Sequence, residues 1–195
     1  MSIPRQNSIL VDIGHGLYDG VAGKPPYDPG VVSPIGWQEY QVNMVTAIAL
    51  VERLHMFGHA ATFVPFGLSL EQRGLMARDF DVFLSIHHNA ANETAQGSEA
   101  VVHSVLALEP DRDLATRIAK TVSEVLGIRC RGIKELKLAV LSGARKTNVR
   151  AAVLTEGFFV DVPGINLVDW ARREGVAIAR AVHGFLTMGT VAHTD

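Results

Sequence analysis

Apolar positions recur along this chain with two different periods, and the changes of period mark its elements. Ser8 to Ile13 (SILVDI) is short, apolar and β-branched and stops at Gly14, which predicts a buried strand entering a tight turn that carries His15. From Gly36 to Phe57 the residues Trp37, Tyr40, Met44, Ile48 and Val51 recur at helical spacing, and Gly58 supplies a stop. That segment is expected to be a long amphipathic helix. A strand at Ala60–Val64, a short helix around Leu70–Arg78 and a strongly apolar strand at Asp81–Ile86, running into HHNA, come next. Further strands are expected at Ser98–His103, Ala139–Leu141 and Ala151–Leu154, with a helix at Leu114–Leu126. The last helix, Leu167–Leu186, offers Val168, Ala171, Val176, Ala179 and Phe185 to the core, and residues 188–195 read as a tail. Between Leu17 and Ile35 the chain is rich in Gly, Pro, Tyr and Asp, which predicts a long ordered surface loop without regular structure.

Strands alternating with helices define an α/β fold: a single three-layer domain whose mostly parallel sheet is covered on both faces. Its 195 residues suit one core and are too few for two ordinary domains. In such sheets ligands bind beyond the carboxyl ends of the strands. A net charge of -2, with both signs spread along the chain, lacks the basic footprint that duplex nucleic acid requires. The single cysteine, Cys130, excludes an intramolecular disulfide and a cysteine-based metal cage. No run approaches the ~20 apolar residues of a membrane span, and MSIPRQNSILVDIGHG lacks an apolar segment of signal-peptide length. Synthesis in the cytoplasm is therefore expected, with another route to any substrate outside it.

Three expected strands end in residues that carry chemistry: His15 after the first, His87 after Asp81–Ile86 and Glu156 after Ala151–Leu154. Glu39 falls in the first turn of the long helix, where the helix dipole favours a carboxylate. Two imidazoles and one carboxylate supply three ligands to zinc and leave a fourth tetrahedral position for water, whose pKa the metal lowers towards ~7. Glu156, between Val153, Leu154 and Phe158, Phe159, is an ionisable group in apolar surroundings and the candidate proton carrier. Each has an ordinary alternative: His15 as a turn residue, Glu39 as a favourable charge at a helix start. His87 and His88 are neighbours on a strand and face opposite ways, so only one is expected at the metal and the other is structural. His55, His59, His103, His183 and His193 read as ordinary residues. Arg129, Arg131, Lys134, Lys137, Arg145 and Lys146 form a basic stretch that could meet an acidic peptide but reads better as a solvated face.

The ordered set ILVDIGHG, WQEYQVN, DVFLSIHHNA and AVLTEGFF resembles the zinc-dependent N-acetylmuramoyl-L-alanine amidases, which cut the bond between N-acetylmuramic acid and L-alanine in peptidoglycan. The resemblance spans most of the chain. It implies zinc ligands at His15, Glu39 and His87, a general acid/base at Glu156, an asparagine in the helix motif at Asn43 and a structural role for Arg73. It also implies a mixed, twisted sheet of about six strands, which sharpens the mostly parallel expectation. Ile13 stands where the family commonly has proline, Leu17 where a second glycine often follows GHG, and Val162 where asparagine is common; the stretch KPPYDPGVVSPIG lengthens the loop before Glu39. A compact catalytic chain of this kind is similar to phage or prophage endolysins. The metal set alone is equally compatible with another zinc peptidase or deacylase. A non-catalytic wall-binding module would be expected to have lost a ligand or Glu156, and all four are present.

Overall fold

The computed structural model describes residues 6–17 and 25–188. Its elements, in chain order, are β1 (Ser8–Ile13), β2 (Gly16–Leu17), β3 (Tyr27–Asp28), α1 (Glu39–Met56), β4 (Ala60–Phe63), α2 (Leu70–Leu75) and β5 (Val82–Asn89), followed by β6 (Ser98–His103), α3 (Glu109–Leu126), β7 (Cys130–Leu136), α4 (Ala139–Arg145), β8 (Ala151–Phe159) and α5 (Leu167–Met188). Six strands form one sheet in the order β4-β1-β5-β8-β6-β7, with β2 and β3 paired separately. Every neighbouring pair in the large sheet is parallel except β6 with β8. The sheet is thus mixed. Consequently β6 and β7 present their starts, not their ends, at the edge where β1, β5 and β8 finish.

Helices α1, α3 and α5 cover one face, packing on Ile9, Val11, Leu84 and Val153. The opposite face, with Leu10, Phe83, Ala152 and Leu154, is covered by Val140, Leu141 and Ala144 of α4, and α2 packs on α4. Burial of these side chains contributes about 1.5–3 kcal/mol for each large residue, which is what holds the three layers together. The alternation of the two core sets along each strand follows from the two-residue strand period.

Several expectations are corrected. Ala139–Leu141 is the start of helix α4, not a strand: Val140, Leu141 and Ala144 are buried together, a helical spacing that three apolar residues in isolation cannot reveal. Backbone contact fixes this helix against α2. A Cβ on Gly74 would lie 2.0 Å from the Val140 carbonyl oxygen, and one on Gly143 would lie 2.2 Å from that of Glu71. Strand β7 was not expected, because it is an edge strand exposed along most of its length and carries no apolar alternation. The loop from Leu17 to Ile35 contains the short β2–β3 pairing, and a bridge joins Val32 to Gln38; residues 18–24 lie outside the described residues. The first residues and nearly all of the expected tail lie outside them too. Helix α3 begins at Glu109, five residues before the expected start.

Two helix stripes are also rotated from their expected positions. In α1 the inward line runs through Asn43, Thr46, Ala47, Leu50 and Leu54, leaving Ile48 44% exposed. In α5 it runs through Leu167, Ala171, Glu174, Ile178, Val182 and Phe185, while Val168 and Val176 are only partly buried. Both shifts have one cause: each stripe includes polar residues that are buried because they bond one another. No described helix is long and apolar enough to cross a membrane.

Candidate metal centre and active site

The first strand ends at Ile13, and the backbone then turns so sharply that His15 adopts a φ of 65°, a region costly for a residue with a side chain. Several contacts hold it there. Arg73, 2% exposed, donates from Nη1 to the Ile13 carbonyl (3.0 Å) and Asp12 Oδ1 (3.1 Å), and from Nη2 to the His15 carbonyl (3.0 Å). Ser85 donates to the other Asp12 oxygen at 2.7 Å, and Asn43 Nδ2 donates to the Gly14 carbonyl at 3.0 Å. The buried Arg73–Asp12 pair therefore fixes the turn that aims His15, which agrees with the structural role expected of it.

His87 and Glu156 lie inside strands rather than beyond them, since β5 continues to Asn89 and β8 to Phe159. They are direct partners in the β5–β8 register. Both share a strand face with Phe83 and Leu154, the α2/α4 side, whereas His88 points to the α1/α5 side. Glu39, the first residue of α1, reaches this point from the helix start and is 3% exposed.

The geometry around Glu39 is that of a ligand set. His15 Nε2 lies 3.0 Å from Glu39 Oε2, and His87 Nδ1 lies 3.0 Å from Glu39 Oε1. One donor atom from each of the three residues falls within 4.8 Å of the others. Backbone amides of Val31 and His88 donate to the same carboxylate at 3.2 Å each. His15 Nδ1 meets Asp28 Oδ2 at 3.1 Å, which orients the ring so that Nε2 faces Glu39. Asp28 was not singled out in the sequence, because it belongs to the long loop. Two glycines clear the space. A Cβ on Gly14 would lie 2.3 Å from His87 Nε2, and one on Gly30, whose φ is +69°, would lie 2.5 Å from Glu39 Oε2.

Electrostatics follow this packing. Burial alone would favour neutral forms of His15 and Glu39, but their mutual hydrogen bonds and charges prevail. His15, also bonded to Asp28, is raised to about 9. Glu39, bonded by His15 and His87, is held well below the usual carboxylate range. A buried carboxylate flanked by two imidazoles is equally a site for a dication. Two nitrogens and one carboxylate oxygen match the ligand chemistry of zinc. The residues present fit the metal.

Glu156 differs in kind. Its burial, followed by the negative charges of Glu39 and Glu99, pushes its carboxyl up to about 8. Its Oε2 has no hydrogen-bond partner among the described residues. Glu99 is its direct partner on the other side, in the β6–β8 register. Glu99 does not stand out in the sequence, because β6 runs the other way and brings its start, not its end, to this edge; its signal is a lone acid inside the buried strand Ser98–His103.

On the other face of the sheet, His88 Nδ1 lies 2.7 Å from Asn43 Oδ1 and His88 Nε2 lies 2.7 Å from Glu174 Oε2, to which Thr46 also donates at 3.1 Å. Both side chains of the His88–Glu174 pair are wholly buried. The two histidines thus divide as expected, one to the ligand set and one to the interior. Of the basic stretch, Arg145 is buried against Asp111 at 3.4 Å and is no part of a solvated face, and Lys146 pairs with Glu71. His55, His59, His103 and His183 stand apart from the ligand set.

A sequence model described as N-acetylmuramoyl-L-alanine amidase matches residues 9–169. The chain is 28% identical over 187 residues to the uncharacterized protein YqiI of Bacillus subtilis (strain 168), covering 91% of this chain and 84% of that protein. Among solved structures it is similar to an N-acetylmuramoyl-L-alanine amidase from Clostridium difficile 630, with a TM-score of 0.79 and 25% identity, covering 93% of this chain and 97% of that one. The catalytic domain of CwlV, from Bacillus (Paenibacillus) polymyxa var. colistinus, shares the fold with a TM-score of 0.76 at 22% identity, covering 93% and 99%.

Proposed function

The chain belongs to the N-acetylmuramoyl-L-alanine amidase family, and from that premise we propose how its own residues hydrolyse the bond between N-acetylmuramic acid and L-alanine in peptidoglycan. His15 through Nε2, His87 through Nδ1 and Glu39 through its carboxylate would hold one zinc ion. Bound there, zinc would supply a Lewis acid that polarises the lactyl carbonyl and makes water easier to deprotonate.

The chain's remaining task is to move one proton. Glu156, in register beside His87, accepts it from the attacking water as the oxygen bonds to the carbonyl carbon. The same carboxyl then delivers that proton to the L-alanine nitrogen. The C–N bond breaks, leaving the peptide with a free amino terminus and the lactyl group as a carboxyl, which gives up the second water-derived proton to solvent to become a carboxylate. A cation beside Glu156 favours its ionised, proton-accepting form, and its apolar burial favours holding the proton until the amine departs. Asp28 and Gly14 keep the two imidazoles aimed, and Arg73 keeps the His15 turn in place.

The observation that carries this reading is the convergence of the three donor atoms within 4.8 Å, with Glu156 paired across the strands to one of their owners. Purified peptidoglycan, digested and analysed by mass spectrometry, tests it. Peptides beginning with free L-alanine and no new reducing sugar ends are expected; new reducing ends, or peptides cut at an internal bond, would refute it.

A further inference from the structure

Beyond Glu156, away from the ligand set, the sheet continues through β6 to the edge strand β7. Glu99 on β6 is the register partner of both Glu156 and Gly132, yet the β6–β7 register skips one residue between Ser98 and Glu99. Ser98 faces Cys130 and Glu99 faces Gly132, so Arg131 is the extra residue of a bulge. Bulges re-aim a side chain, and this one turns Arg131 onto the face of Glu156.

The side chain is held on three sides. Arg131 Nε donates to Glu99 Oε2 at 2.6 Å, its guanidinium carbon lies 5.2 Å from the centre of the Phe159 ring, and its stem crosses Gly97, where a Cβ would come within 2.7 Å of it. Asn89 holds the other oxygen of Glu99 at 3.3 Å. Only Nε of the guanidinium is used by Glu99, and the side chain is 33% exposed. A fork fixed in this way and still open to solvent has the shape that recognises a carboxylate.

Its position decides which part of the substrate it would meet. In the proposed reaction the carbonyl lies at the ligand set and the departing nitrogen at Glu156, so the line from His87 through Glu156 runs from the sugar side of the bond to the peptide side. Continued past Glu156, it reaches β7 after two strand spacings, about 10 Å. We propose that Arg131 is a specificity residue that binds a carboxylate on the residue following L-alanine. Glu99 is its positioning residue, and the two acids at this edge make an unescorted carboxylate unwelcome without it. This rests on the amidase reading above.

The test uses two soluble muropeptides that differ only at that residue, one with a free α-carboxylate on its glutamate and one with the carboxamide. Wild-type protein is expected to favour the carboxylate by about tenfold or more in kcat/KM, the worth of a charge-assisted pair. Arg131→Met should bring the ratio close to one, through a loss in KM on the carboxylate substrate that exceeds any loss on the carboxamide. Arg131→Lys should keep part of the preference, and unfolding temperature and zinc content should match wild type in both. Equal loss on the two substrates, an unchanged ratio in Arg131→Met, or a wild-type ratio of one would overturn the proposal. A wild-type protein that frees no L-alanine-headed peptide from either muropeptide or from whole peptidoglycan would instead sink the amidase reading, and this proposal with it.

Discussion

Two rows of side chains cross the same end of the sheet, one on each face, and they use the same residue types to opposite ends. On one face stand His87, Glu156 and Glu99; on the other His88 meets Asn43 and Glu174, to which Thr46 also donates. Glu174 is wholly buried with two partners, His88 and Thr46, on one oxygen, while its other oxygen, like Glu156 Oε2, has no partner among the described residues; what sets Glu156 apart is that the acids Glu39 and Glu99 act on it where Glu174 has an imidazole and a hydroxyl. A buried carboxyl held by hydrogen-bonding neighbours serves the fold, and one set among other acids is held ready for a cation or a proton. The neighbours of each acid, more than its type or depth, separate the scaffold from the site here.

The largest effect that can break this comparison is on turnover. Glu156→Gln should lower kcat by about 10²–10⁴-fold, the usual contribution of a positioned proton carrier, while the unfolding temperature stays level or rises and zinc remains bound. Kinetics beside thermal unfolding checks this; a variant that unfolds early would put Glu156 among the structural residues. The mirror result is expected behind the sheet. Glu174→Ala should cost about 3–5 kcal/mol in denaturant unfolding by stranding its buried partner, with turnover per folded molecule little changed.

A smaller effect separates the ligands from their supports. Asp28→Asn should weaken zinc binding about 10–100-fold, as loss of an outer partner of a ligating histidine typically does, measured by competition with a chromophoric chelator. The smallest concerns pH. In metal-free protein Glu156 sits at about 8, against 4.5 for an ordinary glutamate. Between those values the folded chain binds more protons than the unfolded one, so this group's contribution is full below the lower value and lost as pH rises through the upper. Metal-free wild type should therefore lose unfolding temperature over that window relative to Glu156→Gln; parallel curves for the two would contradict the raised carboxyl.

The sequence made one of the two rows far easier to read than the other. His15, His87 and Glu156 stood out because apolar strands run straight into them, and Glu39 because it opens a helix. Glu174 carried a signal that went unused: it lies three residues after Ala171 and four before Ile178, on the buried stripe of α5. Asn43 and Thr46 rotate the α1 stripe for the same reason, so a purely apolar count chose Met44 and Ile48 instead. Glu99 is hidden by strand direction, since β6 presents its start at this edge, whereas Arg131 is visible in the basic stretch but reads as part of a solvated face, because its bond to Glu99 leaves no mark in the sequence. Edge strand β7 and the short helix α4 left no periodic trace, one for want of apolar residues and the other for want of length.

Whether His15, Glu39 and His87 hold the ion that hydrolysis uses is decided by stripping and restoring it. Protein dialysed against a chelator should release no L-alanine-headed peptide from peptidoglycan, and about one equivalent of zinc per chain, enough for a three-ligand catalytic site, should restore release in wild type but not in His87→Ala. Release undiminished in the stripped protein, or restored equally in His87→Ala, would contradict the assignment.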